Sequence, residues 1–393
     1  MQPVEVIPGI QWVGVLDTQL RVFDVIMQAQ HGTTYNSYLV RGRDKVALID
    51  ASKGMFSETF LDTLRPAIDP KDIDYMVCNH LEPDHSGALG DVLDVAPNAQ
   101  VVVTKPGRNL VRAILNRDVK PIVVGEGDRI DLGGRTLRFI SAPFLHWPDT
   151  MFTYLEEDQV LFSGDFLGAH YCDPRLFNDL IVNYDEAFQY YFQVIMRPFK
   201  EYVREALAKI DTLPIKIVCP VHGPILRSDV GRYLEKYRAW SAEPPRGNKK
   251  RLLVFYVSSY GNTERMAHAV ARGIREAGAD ADVLDLTKVD YRAMLDDIEA
   301  AEGIVVGTCT INGDALEHAW SLLSSMTTIK LKDKLGASFG AFGWSGEGPL
   351  MIAERMKGLR FRVPEEPMRV QLVPSEADLK ACEEYGKRLV AAL

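Results

Sequence analysis

The sequence predicts an α/β protein of two domains. The chain has 393 residues, which is long enough to bury two hydrophobic cores. The segment from Ser241 to Arg251 is rich in proline, glycine and charge, and it separates a strand-rich first part from a second part in which strands and helices alternate. We therefore expect one domain at residues 1–247 and a second at residues 250–393. The alternation in the second domain predicts a doubly wound parallel sheet with helices on both faces.

The first part contains many short apolar runs bounded by turn residues, a pattern typical of strands. These runs are Val46–Ile49, Tyr75–Cys78, Val101–Val103, Ile122–Val124, Leu137–Ile140, Val160–Phe162 and Ile215–Cys219. Longer amphipathic stretches near residues 58–65, 107–116 and 185–210 predict helices. The first domain is therefore expected to be a mixed α/β domain rich in strands.

The second part has five predicted strands. They are Leu252–Val257, Asp282–Asp285, Ile304–Val306, Ala337–Phe342 and Met368–Leu372. A helix is predicted from about Asn262 to Ala277, directly after the first strand and its loop. Because ligands of parallel sheets bind at the carboxyl ends of the strands, the loops that follow the strands are the candidate binding site.

Composition excludes several classes of function. The net charge of -9 gives no support for binding nucleic acid, and no apolar run is long enough to span a membrane. The N-terminus lacks the basic and apolar segments of a signal peptide. The five cysteines are widely spaced and form no Cys-x-x-Cys pair, which argues against a disulfide framework, a zinc ribbon or a cysteine-ligated iron centre. A reducing cytoplasm is the expected location.

Four metal-binding side chains lie within six residues of one another. They are His80, Glu82, Asp84 and His85. Two carboxylates and two imidazoles in one turn repel or desolvate one another unless a positive charge holds them. The cluster therefore predicts a metal site, with two ions favoured over one.

Three further candidates follow other predicted strands. His146, Asp165 and His222 each come shortly after an apolar run, as His80 does. If the ends of these strands meet at one edge of a sheet, all seven side chains converge. Four imidazoles and three carboxylates without sulfur suit iron, manganese or zinc, and seven ligands with one bridging carboxylate serve two ions. The remaining histidines, His31, His170, His268 and His318, are interpreted as solvated or hydrogen-bonded residues.

This pattern resembles the metallo-β-lactamase fold, whose zinc hydrolases carry His-x-His-x-Asp-His. Here Glu82 replaces the second histidine, and an anionic oxygen ligand shifts the preference from zinc towards iron. The spacing, including the context His146-Trp147-Pro148-Asp149, resembles that of the flavodiiron proteins, or A-type flavoproteins. The resemblance implies an αββα sandwich and two non-haem irons. It implies that one iron is bound by His80, Glu82 and His146 and the other by Asp84, His85 and His222, with Asp165 as the bridge.

Three loops of the second domain together resemble the FMN site of flavodoxins. The first links a strand to a helix N-terminus, where backbone N–H groups and the helix dipole favour a phosphate. It departs from the flavodoxin form by carrying Tyr260, which resembles the flavodiiron variant. The predicted FMN-binding residues are Ser258, Ser259, Tyr260, Gly261, Asn262 and Thr263 in the first loop, Thr308, Thr310, Ile311, Asn312 and Gly313 in the second, and Phe342, Gly343, Trp344, Ser345 and Gly346 in the third.

The resemblance implies an oxidoreductase that reduces dioxygen to water, nitric oxide to nitrous oxide, or both. Two irons and a reduced FMN together store the four electrons that dioxygen needs, while two molecules of nitric oxide need two. No catalytic residue is predicted beyond the metal ligands. The resemblance also implies a head-to-tail homodimer, with pairing of dimers into tetramers left open. Since no rubredoxin extension is recognised, a separate donor is expected, either rubredoxin or a reduced deazaflavin coenzyme.

Two other classes of function remain open at this stage. One is a zinc-dependent hydrolase fused to a flavodoxin electron carrier, against which Glu82 argues. The other is a pure electron carrier or binding protein in which the metal site is a relic. Neither the preferred gas nor the electron donor can be read from the sequence.

Overall fold

The computed structural model describes residues 1–243 and 249–393, and the chain forms two compact units, Met1–Ala242 and Glu243–Leu393. The central residues of the predicted linker, 244–248, lie outside the described residues, and the predicted domain limits stay a prediction. Within the described ranges, no helix combines the length and the apolar character needed to cross a membrane.

Two β-sheets form the centre of the first unit. Its strands are β1 Val4–Ile7, β2 Ile10–Trp12, β3 Val15–Asp17, β4 Val22–Phe23, β5 Met27–Gln28, β6 Thr33–Tyr35, β7 Tyr38–Arg41, β8 Val46–Ile49, β9 Tyr75–Val77, β10 Gln100–Thr104, β11 Ile122–Val124, β12 Arg129–Asp131, β13 Thr136–Ser141, β14 Met151–Leu155, β15 Val160–Gly164 and β16 Ile217–Pro220. A seven-stranded sheet has the order β1-β2-β7-β8-β9-β10-β11, and a five-stranded sheet has the order β12-β13-β14-β15-β16. Strands β3 and β6, and strands β4 and β5, form two small antiparallel ribbons.

The two sheets pack face to face because their inward side chains are apolar. One buried cluster joins Tyr38 and Val77 of the seven-stranded sheet to Phe139 and Phe162 of the five-stranded sheet. Since side chains alternate along a strand, neighbouring residues of the same strands face outward and meet the helices. The first unit is therefore a helix–sheet–sheet–helix sandwich, as predicted.

The helices of this unit are α1 Ser57–Leu64, α2 Pro83–Ser86, α3 Leu89–Val95, α4 Gly107–Leu115, α5 Asp185–Tyr191, α6 Lys200–Ile210 and α7 Val230–Ser241. The predicted amphipathic stretches contain α1, α4, α5 and α6, whereas α2, α3 and α7 were not predicted. The stretch predicted as one helix over 185–210 is divided between α5 and α6 by a π-helical turn at Phe192–Met196 and a 3₁₀ turn at Arg197–Phe199. Pro198 lies in that second turn, and its missing N–H cannot continue an α-helical ladder.

The second unit is a doubly wound α/β sheet, as predicted. Its strands are β17 Arg251–Val257, β18 Asp280–Asp285, β19 Gly303–Thr308, β20 Thr310–Ile311, β21 Asp314–Ala315, β22 Leu335–Phe342 and β23 Met368–Gln371, and its helices are α8 Asn262–Glu276, α9 Leu295–Ala300, α10 Glu317–Ser325, α11 Gly348–Gly358 and α12 Glu376–Ala391. Five parallel strands have the order β18-β17-β19-β22-β23. Helices α8 and α12 cover one face, and α9, α10 and α11 cover the other.

The packing of α8 against α12 generates a stability prediction. A Cβ added at Gly273 of α8 would overlap the carbonyl oxygen of Glu383 in α12. Gly273→Ala is expected to lower the free energy of unfolding of this unit by about 1–3 kcal/mol through overpacking. Denaturant titration followed by circular dichroism measures the change. The matched control is Gly358→Ala at the end of α11, where an added Cβ meets no atom within 4 Å. Equal stability of the two variants would contradict the prediction.

Candidate metal and flavin sites

The six-residue cluster is divided into two pairs by a change of backbone conformation at Pro83. Glu82 is extended, with φ -62° and ψ 144°, and Pro83 opens the short helix α2 that contains Asp84 and His85. Side chains two apart in an extended segment point the same way, so His80 and Glu82 face one position. Asp84 and His85 turn away with the helix and face another. One short segment thus supplies ligands to two neighbouring positions.

The other three candidates come from the second sheet, so the expectation that one sheet edge gathers all seven is wrong. His80 follows β9 of the seven-stranded sheet, whereas His146 follows β13, Asp165 follows β15 and His222 follows β16, all of the five-stranded sheet. The seven candidate ligands meet at one end of the sandwich, because the strand ends of the two facing sheets lie close together there.

The first group consists of His80, Glu82, His146 and Asp165. Each offers one ligand atom, and these atoms all lie within 4.8 Å of one another. Glu82 Oε2 lies 2.9 Å from His146 Nε2 and 3.4 Å from His80 Nε2. Asp165 Oδ2 lies 3.8 Å from His80 Nε2 and 3.9 Å from His146 Nε2. Two carboxylates and two imidazoles therefore surround one position.

The second group consists of Asp84, His85 and His222. Asp84 Oδ1 lies 3.1 Å from His85 Nε2, and Asp84 Oδ2 lies 2.9 Å from His222 Nε2. Asp165 approaches this group with its other oxygen, Oδ1, which lies 3.4 Å from His85 Nε2 and 3.7 Å from His222 Nε2. Asp165 thus presents one oxygen to each group, which is the arrangement of a bridging carboxylate and the grouping that the resemblance implied.

The donor atoms fit a pair of cations. Asp84 Oδ1, Asp165 Oδ2 and His85 Nε2 are buried and have no hydrogen-bond partner in the described part of the chain, although Asp84 Oδ1 and His85 Nε2 lie only 3.1 Å apart and Asp165 Oδ2 lies 3.8 Å from His80 Nε2. Buried polar atoms are normally satisfied, so atoms that approach without forming hydrogen bonds indicate lone pairs directed at a shared ion. Nitrogen and oxygen donors without sulfur suit iron, manganese or zinc.

Protonation of the metal-free cluster shows how strongly these groups interact. Burial disfavours the charged form of His80, but hydrogen bonds to Asp149 and Glu82 outweigh it and raise the pKa of His80 to about 9. Burial also opposes ionisation of Glu82, yet hydrogen bonds from His146 and His80 lower its pKa to about 2. The charge of His85, against burial, holds the pKa of Asp165 well below its ordinary value. Without a metal, protons on the imidazoles supply the positive charge that the carboxylates need.

The second unit contains a cavity of about 540 Å³ at the carboxyl ends of β17, β19 and β22. Gly261, with φ +78°, ends the first loop and caps α8, and the first two residues of α8, Asn262 and Thr263, line the cavity, which places the helix N-terminus beside it. Two aromatic side chains beside it are largely solvent-exposed, Tyr260 at 91% and Trp344 at 81%. Exposed rings beside a helix N-terminus suit a ligand that has both a flat ring system and a phosphate.

Eleven of the sixteen predicted flavin residues line this cavity. They are Ser258, Ser259, Tyr260, Asn262, Thr263, Thr310, Ile311, Asn312, Phe342, Gly343 and Trp344. Gly261, Thr308, Gly313, Ser345 and Gly346 do not line it. The Thr308 hydroxyl is used inside its own loop, donating to Cys309 O and accepting from Leu316 N. Asn312 and Gly313 form the left-handed two-residue turn between β20 and β21.

Comparison with known proteins identifies the family. A family model described as ODP family beta lactamase matches residues 33–223, and a flavodoxin model matches residues 254–386. The type A flavoprotein fprA of Rhodobacter capsulatus is 44% identical over 396 residues, which cover 98% of this chain and 91% of that protein. The chain belongs to the flavodiiron family, the type A flavoproteins.

Two further similarities bear on this flavodiiron protein. The nitric oxide reductase of Moorella thermoacetica is 36% identical over 400 residues, which cover 100% of this chain and 99% of that protein. The structure of rubredoxin oxygen:oxidoreductase from Desulfovibrio gigas superposes with a TM-score of 0.71 at 29% identity, covering 100% of this chain and 98% of that one. The predicted family and fold are therefore confirmed, and the cofactors of the family are FMN and a non-haem diiron centre.

Several residues around the flavodiiron cluster were given no role by the sequence interpretation. Asp149 lies 3.3 Å from His80 Nδ1, and Tyr191 Oη donates to Asp165 Oδ1 at 2.7 Å. His170, interpreted as solvated or hydrogen-bonded, is buried and lies 3.0 Å from Thr33 Oγ1. Of these residues, only Asp149 could have been recognised as a candidate from the sequence, because it lies three residues after the candidate ligand His146. Around the flavin cavity, Cys309, Ala341 and Leu372 were also missed.

Metal uptake by the metal-free protein is expected to release protons. The pKa of His80 is raised from 6.5 to about 9 in the folded, metal-free protein. Protonated His80 therefore stabilises this folded state fully below pH 6.5, and the stabilisation is lost as pH rises through 9. A metal ligand must be neutral imidazole, so binding at pH 7 expels this proton, and the apparent metal affinity rises with pH up to about 9. Titration of metal-free protein with Co²⁺ in weakly buffered indicator solution at pH 7 and pH 9.5 measures the release. Absence of proton release at pH 7 would contradict the expectation.

Removal of the Trp344 ring is expected to weaken FMN binding. Stacking on an aromatic ring contributes about 0.5–1.5 kcal/mol beyond simple burial, so Trp344→Ala should raise the FMN dissociation constant up to about tenfold. Fluorescence titration of flavin-depleted protein with FMN measures this. Met351→Ala, an exposed apolar position on α11 that does not line the cavity, is the control. An unchanged constant in Trp344→Ala would show that the ring does not contact the flavin.

Proposed function

We propose that this flavodiiron protein reduces dioxygen to water, nitric oxide to nitrous oxide, or both, at the seven-residue cluster, with electrons delivered through FMN. The observation that carries the proposal is the pair of ligand groups joined by Asp165, each with a mixed carboxylate and imidazole set. When two irons are bound there, they supply the reversible one-electron changes and open coordination positions that the reduction of a small gas molecule needs.

The role of the chain is to hold the ligands and to exclude bulk water. Aromatic rings pack against the imidazoles on several sides: Trp147 lies edge-on to His80 at 5.2 Å between ring centroids, and Phe23 and Tyr35 lie edge-on to His222 at 5.5 and 5.7 Å. These apolar walls lower the local dielectric and strengthen the electrostatic interactions inside the cluster.

One buried proton donor touches the bridging carboxylate. Tyr191 Oη donates to Asp165 Oδ1, and burial together with the nearby Asp165 raises the pKa of Tyr191 well above its ordinary value. The hydroxyl therefore keeps its proton at neutral pH and fixes the orientation of the Asp165 carboxylate. With the carboxylate held in this orientation, Asp165 Oδ2 faces the first group and Asp165 Oδ1 faces the second.

Glu82 favours a redox role over hydrolysis. The hydrolases of this fold place histidine at this position, whereas Glu82 adds a second negative charge to the first group beside Asp165. Anionic oxygen ligands favour iron over zinc and stabilise its oxidised form. The proposal includes a head-to-tail homodimer, which brings the flavin of one copy to the irons of the other, and a separate donor, rubredoxin or a reduced deazaflavin coenzyme.

The function is tested on protein whose iron and FMN have been counted. After anaerobic reduction and removal of the reductant, dioxygen or nitric oxide is added and its consumption is recorded with an electrode. We expect rapid consumption of at least one gas, and sedimentation of the same sample should show a dimer. Failure of the fully loaded protein to consume either gas would overturn the proposal. Two zinc ions per chain with esterase activity would favour the hydrolase class.

A ligand variant and a matched histidine control sharpen this test. His146→Ala removes one ligand of the first group and is expected to lower gas consumption at least about 100-fold, since even loss of residues around the ligands costs 10–100-fold. FMN content should be unchanged, because the flavin cavity belongs to the other unit. His268→Ala, an exposed histidine on α8, should behave like the unaltered protein. Equal rates in both variants would exclude the cluster as the site of reaction.

A further inference from the structure

Asp149 is a buried carboxylate that contacts the cluster without belonging to either ligand group. It is 2% exposed and lies between β13 and β14. Its Oδ2 accepts a hydrogen bond from Leu81 N at 2.9 Å and lies 3.4 Å from His80 Nδ1, while its Oδ1 lies 3.3 Å from the same nitrogen. The Asp149 backbone carbonyl accepts from Thr104 Oγ1 at 2.9 Å. The residue is thus held at one carboxylate oxygen, Oδ2, and at its backbone carbonyl, while Oδ1 faces His80 Nδ1.

The contact of Asp149 fixes which nitrogen of His80 is available to a metal. His80 Nδ1 faces Asp149, and His80 Nε2 faces Glu82 and Asp165 in the first group. A neutral imidazole that donates its Nδ1–H to Asp149 leaves the Nε2 lone pair directed at the ion. A carboxylate on the far side of an imidazole also makes that imidazole a more basic ligand.

The other three histidines of the cluster lack such a partner in the described part of the chain. His222 Nδ1 lies 2.6 Å from the neutral backbone oxygen of Thr34. His85 Nδ1 is buried without a hydrogen-bond partner. The carboxylates near His146 are Glu82 and Asp165, which belong to the ligand set itself. In the described part of the chain, Asp149 is therefore a carboxylate from outside the ligand set that directly contacts an imidazole, and it does so in the first group. The buried Asp50 carboxylate instead accepts hydrogen bonds from Asn79 N and Nδ2.

We propose that Asp149 is a positioning residue that fixes His80 and makes the first group the tighter of two inequivalent metal sites. The inference rests on the proposed function, because it takes the two groups as metal sites. Asp149 also lies three residues after His146, so its bonds to His80 and Leu81 N tie together the two loops that supply this group. The second group, whose His222 faces the Thr34 carbonyl instead of a carboxylate, binds its ion with the weaker affinity.

The test measures metal binding at each site separately, with Co²⁺ as the probe. His222→Ala leaves only the first group complete, and His146→Ala leaves only the second. Asp149→Asn keeps the size of the side chain and an acceptor for Leu81 N, but it removes the negative charge. We expect Asp149→Asn to weaken Co²⁺ binding 10–100-fold in the His222→Ala background and less than about twofold in the His146→Ala background. The visible absorption of bound Co²⁺ gives both the affinity and the coordination at the affected site.

A second variant distinguishes an effect of the Asp149 carboxylate from an effect of the position of the loop that contains it. Thr104→Val removes the hydrogen bond to the Asp149 backbone and leaves the carboxylate in place, so it should leave Co²⁺ binding unchanged. Equal weakening in both backgrounds, no weakening in either, or the same loss in Thr104→Val would overturn the inference. Normal Co²⁺ binding by Asp149→Asn in the His146→Ala background verifies that the variant is folded. If the unaltered protein fails to bind two Co²⁺ ions, the proposed function is wrong. If it binds both ions but Asp149→Asn does not behave as expected, only the inference about Asp149 is wrong.

Discussion

The structure of the first unit depends on one electrostatic constraint: three carboxylates and four imidazoles, five of them buried and two partly buried, lie together at the end of a β-sandwich. Charges removed from water are costly unless they are paired or coordinate an ion. In the metal-free state protons on the imidazoles meet this need, as the raised pKa of His80 and the lowered pKa of Glu82 show. Bound cations would supply the positive charge that the carboxylates need without these protons. The stability of the folded unit is therefore expected to depend on both metal content and pH.

The sandwich satisfies this constraint with short pieces of backbone at fixed strand ends. Pro83 converts an extended segment into a helical turn, which sends Glu82 to one ligand group and Asp84 to the other. Asp165 follows a central strand of the second sheet and offers one oxygen to each group. Because rigid strands hold these positions, the spacing of the two groups is a property of the fold.

Most of this arrangement could be predicted from the sequence, since strand ends and ligand chemistry leave local signals. The seven candidate ligands, which the structure brings together, and the order of elements in the second unit are of this kind. The assignment of all ligands to one sheet failed because apolar runs do not reveal which sheet a strand joins. Thr308 was predicted to contact the flavin, but it does not line the cavity, because its hydroxyl bonds backbone groups of its own loop, which the sequence does not reveal. Asp149 and Tyr191 were missed because their roles arise from contacts across the fold.

The inequality of the two ligand groups bears on how such a centre works. The first group has Glu82 and shares Asp165, with the Asp149 carboxylate behind His80. The second has Asp84 and shares Asp165, with the neutral Thr34 carbonyl and Thr33 hydroxyl behind His222. Negative charge stabilises the more oxidised form of a metal ion, so two ions held in these groups would not lose electrons equally readily. If iron occupies both groups, the ion in the second group would then be the more easily reduced of the two.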